Sequence, residues 1–205
     1  MFSVRSATRP QGSTLNVIGL LLAGGASTRF GSDKALATIN GVSLTDFVLD
    51  ALRPAVDSVT FVGGPRSWAI DRGCGHVDDG TERRGPLNAL AVALSSLDLE
   101  AGDVVVVVPC DTPLLGTPTL RRLVEVARTN GGAVARSGDE SHWSVSAWNA
   151  LTLARACAIG IKEGVSALHL VMGRLAPAFV EVDGDEVLNV NTPDDLSRAT
   201  RILAH

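Results

Sequence analysis

Along this chain apolar residues gather in short blocks whose spacing alternates between two periods. Residues 17–22 form an unbroken apolar run, which predicts a strand covered on both faces. Residues 36–41 carry the chain through a turn. Leu44, Phe47, Val48 and Ala51 then recur at helical spacing, and Pro54 lies just past the predicted helix end. Residues 56–62 read as a second strand closed by Gly63, Gly64 and Pro65, and residues 76–78 as a short third. The stretch 79–85 is polar and turn-rich, and Pro86 opens an apolar helix over 87–97. Residues 104–108 are five valines in succession. A β-branched run without alternation predicts a central strand buried on both sides, and it stops at Pro109. A helix over 118–128, strands at 133–136 and 143–148, and helices at 151–159 and 165–172 follow. A strand at 179–182 and a helix over 193–203 complete the pattern. Strands alternating with helices predict one three-layer α/β/α domain, Rossmann-like, with a mostly parallel central sheet. The domain is expected to span residues 16–205, with residues 1–15 as a flexible tail.

The polar punctuation after the first strand is unusual in its chemistry. Leu22, Ala23, Gly24 and Gly25 lead into Arg29, Gly31 and Lys34, so three glycines and two cations fall within eleven positions. Glycine lets backbone N–H groups approach an anion and tolerates positive φ. Arg29 and Lys34 supply full charges suited to phosphate oxygens. A strand feeding such a loop is a phosphate cradle, though an ordinary β-to-α turn with solvated charges would have a similar composition. The spacing excludes two commoner cradles. There is no Gly-x-x-x-x-Gly-Lys-Ser/Thr run, and Gly24-Gly25 does not fit Gly-x-Gly-x-x-Gly.

Asp111 is the second feature. It follows the valine strand, where open α/β sheets place ligand crevices, and Pro109 and Pro113 bracket it. A carboxylate there suits Mg²⁺ shared with substrate phosphates, and equally suits capping of the next helix. Near the other end, Thr192 and Pro193 read as a helix start, with Asp194 and Asp195 favoured at the positive helix end. That leaves Asn189 and Asn191, which share a face if the segment is extended.

The run Leu-Ala-Gly-Gly-x-x-x-Arg-x-Gly-x-x-Lys resembles the signature loop of sugar-nucleotide-type nucleotidyltransferases. Arg29-Phe30-Gly31-Ser32-Asp33-Lys34, Pro109-Cys110-Asp111-Thr112-Pro113 and Asn189-Val190-Asn191-Thr192-Pro193 narrow the resemblance to the molybdenum cofactor guanylyltransferases. It covers the chain from about Ile18 to Leu203. The resemblance implies a Mg²⁺-dependent transfer of GMP from GTP to molybdopterin carrying molybdenum, with release of pyrophosphate. It implies Arg29, Lys34 and Asp111 as catalytic residues, Asp111 being the metal ligand. Leu22, Ala23, Gly24, Gly25, Lys34, Gly85 and Asp111 are implied to bind the nucleotide, with Asp79, or Asp78 in the adjacent register, at the guanine edge. Asn189, Asn191 and His142 are implied on the acceptor side. Gly85-Pro86-Leu87 matches the family, whereas Asn88 stands where the family has a small residue and Trp143 follows His142 where it tends to have proline. Rival readings are a cytidylyltransferase for the same acceptor, another sugar-phosphate-type nucleotidyltransferase, and a non-catalytic nucleotide- or cofactor-binding maturation protein. Delivery proteins or acceptor molybdoenzymes are expected as partners.

Composition narrows the setting. With 205 residues, 45% apolar and 20% charged, the chain is expected to fold as a globular protein. A net charge of −4 gives no general attraction to nucleic acid or anionic lipid. Phosphate must therefore be caught locally. No apolar run approaches a membrane span, and residues 1–15 lack the apolar region of a secretory signal. Three widely spaced cysteines, Cys74, Cys110 and Cys157, argue against zinc or a disulfide framework and suit a reduced cytoplasm.

Overall fold

The computed structural model describes residues 15–24, 37–78 and 85–204. The chain opens with β1 (Val17–Leu22). A two-stranded hairpin follows, β2 (Thr38–Ile39) and β3 (Val42–Ser43), turned by Asn40 and Gly41 with φ of 52° and 83°. Two positive φ values in a two-residue loop match the twist of the strands they join. Ser43 caps α1 (Leu44–Leu52) by accepting the Asp46 N–H, and Pro54 sits in the 3-10 turn that ends it.

Next come β4 (Ser58–Val62), a short α2 (Arg66–Asp71), β5 (Gly75–Val77), α3 (Pro86–Ser96) and β6 (Val104–Pro109). Then α4 (Thr117–Asn130), β7 (Gly132–Ser137) and β8 (Glu140–Asn149) form a helix and a hairpin. The chain closes with α5 (Ala150–Lys162), α6 (Leu168–Met172), β9 (Ala178–Glu181) and α7 (Pro193–Leu203). The predicted elements are all present. The second strand starts two residues late, and α6 starts at Leu168 rather than 165, since Ala167 before it is extended. Helix α2 was not foreseen.

The seven main strands lie in the order β5-β4-β1-β6-β8-β7-β9. Only β8 runs against the rest, since the tight β7–β8 hairpin inserts it between β6 and β7. The sheet is mostly parallel, as its pattern predicted, and helices cover both faces. The valine run shows why. Val104, Val106 and Val108 enter one core with Leu49, Leu120 and Leu123 from α1 and α4. Val105 and Val107 enter the other with Leu90 from α3 and Leu153 from α5. All five are at most 2% exposed, and burying each contributes on the order of 1.5 kcal/mol or more. A third, smaller core joins Ile39 of the hairpin, Leu44 of α1, Val190 and Ala199 of α7.

Candidate functional site

The chain leaves β1 toward β4 on one side and later returns to β6 on the other. Such a reversal opens a crevice at the carboxyl ends of the two diverging strands. The register fixes what lines it. Leu22 pairs with Pro109, the Cys110 N–H donates to the Leu22 carbonyl at 3.1 Å, and the Ala23 N–H donates to the Val62 carbonyl at 2.9 Å. Ala23 and exposed Gly24, the first residues of the glycine-rich stretch of sequence, therefore leave the sheet beside Cys110 and Asp111.

Two turns close in from the β4 side. Gly64 has φ of 71°, and a Cβ on it would stand 3.1 Å from the Ala23 carbonyl oxygen. Only glycine allows both that conformation and that approach. The His76 ring holds the Gly64 carbonyl at 3.0 Å. Gly85, with φ of 86°, precedes Pro86 at the first turn of α3 and faces the Ser166 carbonyl. Asn88 is half-buried one turn further on.

Asp111 is half-buried on the turn after β6. Its carbonyl accepts the Val190 N–H at 2.8 Å, which brings the distant asparagine segment onto the same turn. Val190 is fully buried while Asn189 and Asn191 are exposed, the alternation of an extended segment. Beyond it, Thr192 and Asp195 make a reciprocal capping box, and Asp195 also accepts the Asn191 N–H. Helix capping thus accounts for Thr192 onward.

His142 lies near the start of β8, opposite Ala135. Because β8 is antiparallel to β6, this end of β8 is at the carboxyl edge of the sheet. The His142 Nε2 is buried and lacks a hydrogen-bond partner among the described residues. Residues 143–145 bulge out of the β7–β8 ladder, whose pairing jumps from Ser146 to His142, so the expected regular alternation over 143–148 is broken. Ser146 Oγ spans the bulge, donating to the Trp143 carbonyl at 2.9 Å and accepting the Trp148 Nε1–H at 2.8 Å. Arg174 pairs with Glu163 on the surface.

Structure therefore brings Leu22, Ala23, Gly24, Asp111, Asn189 and Asn191 to one edge, with Gly85 and His142 at elements bordering it. Gly25, Arg29, Lys34 and Asp79 lie outside the described residues. Both flanks of the basic segment are described: Gly24 at the crevice, and Ala37 packed against the core that contains Val190. Thr112 and Val190 were missed. Both are buried with ordinary composition, and their hydrogen bonds leave no sequence signal. The Asn40-Gly41 pair between Ile39 and Val42 was a readable hairpin signal.

Among the described residues no group of three or more His, Cys, Asp or Glu could hold a metal ion. Nor is any helix long and apolar enough to cross a membrane. Burial pushes the Cys157 thiol up to about 12, far from a nucleophilic thiolate.

A doubly wound sheet with a glycine-rich exit from its first strand and an acid beside it defines an α/β protein built to hold a ligand at that switch point. Residues 19–186 match the family model of the MobA-like NTP transferase domain. Over 188 residues the chain is 30% identical to a molybdenum cofactor guanylyltransferase of Rhodobacter capsulatus, covering 90% of this chain and 95% of that one. Its fold is similar to molybdopterin-guanine dinucleotide biosynthesis protein A from Archaeoglobus fulgidus, with TM-score 0.70, 20% identity and coverage of 91% and 98%. It is also similar to Rv0371c of Mycobacterium tuberculosis in complex with manganese, with TM-score 0.66, 25% identity and coverage of 91% and 98%. The chain belongs to the MobA-like NTP transferase family and is a nucleotidyltransferase.

Proposed function

We propose that this protein transfers GMP from GTP to the terminal phosphate of molybdopterin carrying molybdenum. An acceptor phosphate oxygen bonds to the α-phosphorus as the bond from that phosphorus to the bridging β-phosphate oxygen breaks, and pyrophosphate leaves. The observation that carries this reading is the convergence of the β1 exit, Asp111 and the asparagine segment, held by the Cys110–Leu22 and Val190–Asp111 hydrogen bonds. The name of the Rhodobacter capsulatus relative supports the guanine donor and the cofactor acceptor.

In this reading Leu22, Ala23, Gly24, Gly25 and Gly85 line the nucleotide with backbone, and Arg29 and Lys34 neutralise its phosphates. Asp79 accepts from the guanine amino group. Asn189, Asn191 and His142 orient the acceptor. Among the described residues Asp111 is the carboxylate at the crevice that would hold Mg²⁺, and a single oxygen donor fits a hard cation that is shared with nucleotide phosphates. The manganese complex of Rv0371c supports a divalent ion in this fold. When bound, the ion supplies charge neutralisation at the phosphates. Positioning and charge carry the rate, so no protein nucleophile is required. A cytoplasmic setting, with molybdoenzymes or their delivery proteins as recipients, goes with this reading.

Calorimetry with GTP, CTP and UTP in Mg²⁺, followed by pyrophosphate release with acceptor, tests it. GTP is expected to bind preferentially and to turn over. Preference for CTP would overturn the base assignment, and absence of pyrophosphate release with every nucleotide would overturn the transferase reading. Lys34→Ala is expected to keep the circular dichroism spectrum and to lose turnover by roughly 10²–10³-fold, the scale of one removed charge-stabilising donor.

A further inference from the structure

Val190 is fully buried and carries no reactive group, yet it joins three segments that the proposed reaction needs together. Its N–H holds the Asp111 carbonyl at 2.8 Å. Its side chain belongs to the small third core with Ile39 and Leu44, against which Leu114 and Ala37 pack. Leu114 lies three residues past Asp111. Ala37 and Ile39 follow directly on the basic segment. Asn189 and Asn191 flank Val190 itself. Two other bonds steady the Asp111 turn from within the sheet, the Cys110 N–H to the Leu22 carbonyl and the buried Thr112 hydroxyl to the Pro109 carbonyl, both at 3.1 Å. The Val190 contact links that turn outward, to the hairpin and to the asparagines.

We propose that Val190 is a positioning residue for the transfer reaction. Its amide and side chain together fix Asp111, the Asn189–Asn191 segment and the start of the hairpin in one arrangement, so its bulk sets turnover. This rests on the roles given above to Asp111 and the asparagines. The physical ground is the size of the third core, which among the described residues has four buried members against twenty-two in the largest. Close-packed interiors transmit the loss of a methyl group as displacement, and a small core has fewer neighbours to resist it. A shift of about 1 Å in a reacting group can cost 10²-fold in rate.

The test compares Val190→Ala, which keeps the amide, with Val190→Ile, which restores bulk. Val124→Ala, a buried position of α4 in the main core, serves as the control for lost packing alone. Turnover, KM for GTP and the Mg²⁺ dependence are measured with acceptor, alongside melting temperature. Val190→Ala is expected to lower kcat at least tenfold with KM for GTP within threefold. Val190→Ile should recover most of the loss, and Val124→Ala should keep kcat within twofold despite a lower melting point. Wild-type kcat in Val190→Ala, or an equal loss in Val124→Ala, would overturn the proposal. If Val190→Ala does not fold, Ile39→Val trims the same core by one methyl and is expected to lower kcat at least threefold, with unchanged kcat counting against the role. A wild-type protein inactive with all three nucleotides would instead sink the functional reading beneath it.

Discussion

At Asp111 the fold and the chemistry draw on different atoms of one residue. The carbonyl oxygen accepts the Val190 N–H, while the carboxylate is the group the proposed reaction uses. The residue stands out in the sequence as a carboxylate between two prolines just past a buried strand. Helix capping, the other reading of it, falls away because the N-cap of α4 is Gly116, with no side-chain cap. Val190 does not stand out, since a valine between two asparagines signals nothing until its partner across the fold is known. The same split separates functional from structural acids elsewhere. Asp46 of α1 meets the Arg72 guanidinium at 2.6 Å, and that hydrogen bond holds its carboxyl below the ordinary value of 3.8, with Ser43 adding to the effect against some opposing burial. A depressed folded value means that the unfolded chain binds the proton first, so the pair stabilises the protein above the ordinary carboxylate range and ceases to do so as acid protonates Asp46 in the fold. Because both side chains are partly exposed, the contribution is about 0.5 kcal/mol. Asp46→Asn is expected to lower stability by that amount at pH 7 in urea titrations, with the difference shrinking below pH 3.8. A difference that grew with acid would refute the assignment.

Among the elements, those with a clean period were legible and those shaped by a neighbour were not. The valine strand, α3, α4 and α7 follow directly from apolar spacing, proline at the first turn and capping residues. The three residues that bulge from β8 do not, because their departure depends on how β7 and β6 flank that strand. Ser146 holds this bulge, and its hydroxyl is the acceptor for the buried Trp148 indole. Ser146→Ala would leave that N–H unsatisfied in a dry core and release the Trp143 carbonyl. The expected loss is about 2 kcal/mol, read as a lower denaturant midpoint with an unchanged slope. His142 stands immediately before the bulge, so the same variant is expected to raise KM for the acceptor more than KM for GTP. Equal stability to wild type would show that the indole finds another acceptor.

Across the whole molecule, the sequence pattern reports the two large cores well and the third poorly. Both faces of the sheet are written in continuous apolar runs, so the three-layer architecture could be read from them. The third core draws single residues from the hairpin, the Asp111 turn, the asparagine segment and α7, and no local period records such an assembly. It nevertheless borders the candidate site through Ala37 and Leu114, and it seats the last helix by Ala199 and Leu196. The three tryptophans separate the cases: Trp68 packs on the first core, while Trp143 and Trp148 belong to the second. Ala199 is fully buried on α7, and Ala199→Glu would place a carboxylate among the apolar side chains of Ile39, Leu44 and Val190, a cost that α7 can avoid by leaving its seat. The expected outcome is a loss of helical circular dichroism on the scale of the eleven residues of α7, unchanged tryptophan emission, and transfer activity down by more than tenfold. Loss of tryptophan emission in step with helix would show instead that the three cores unfold as one cooperative unit. Retained activity with α7 unseated would remove the third core from the account of catalysis.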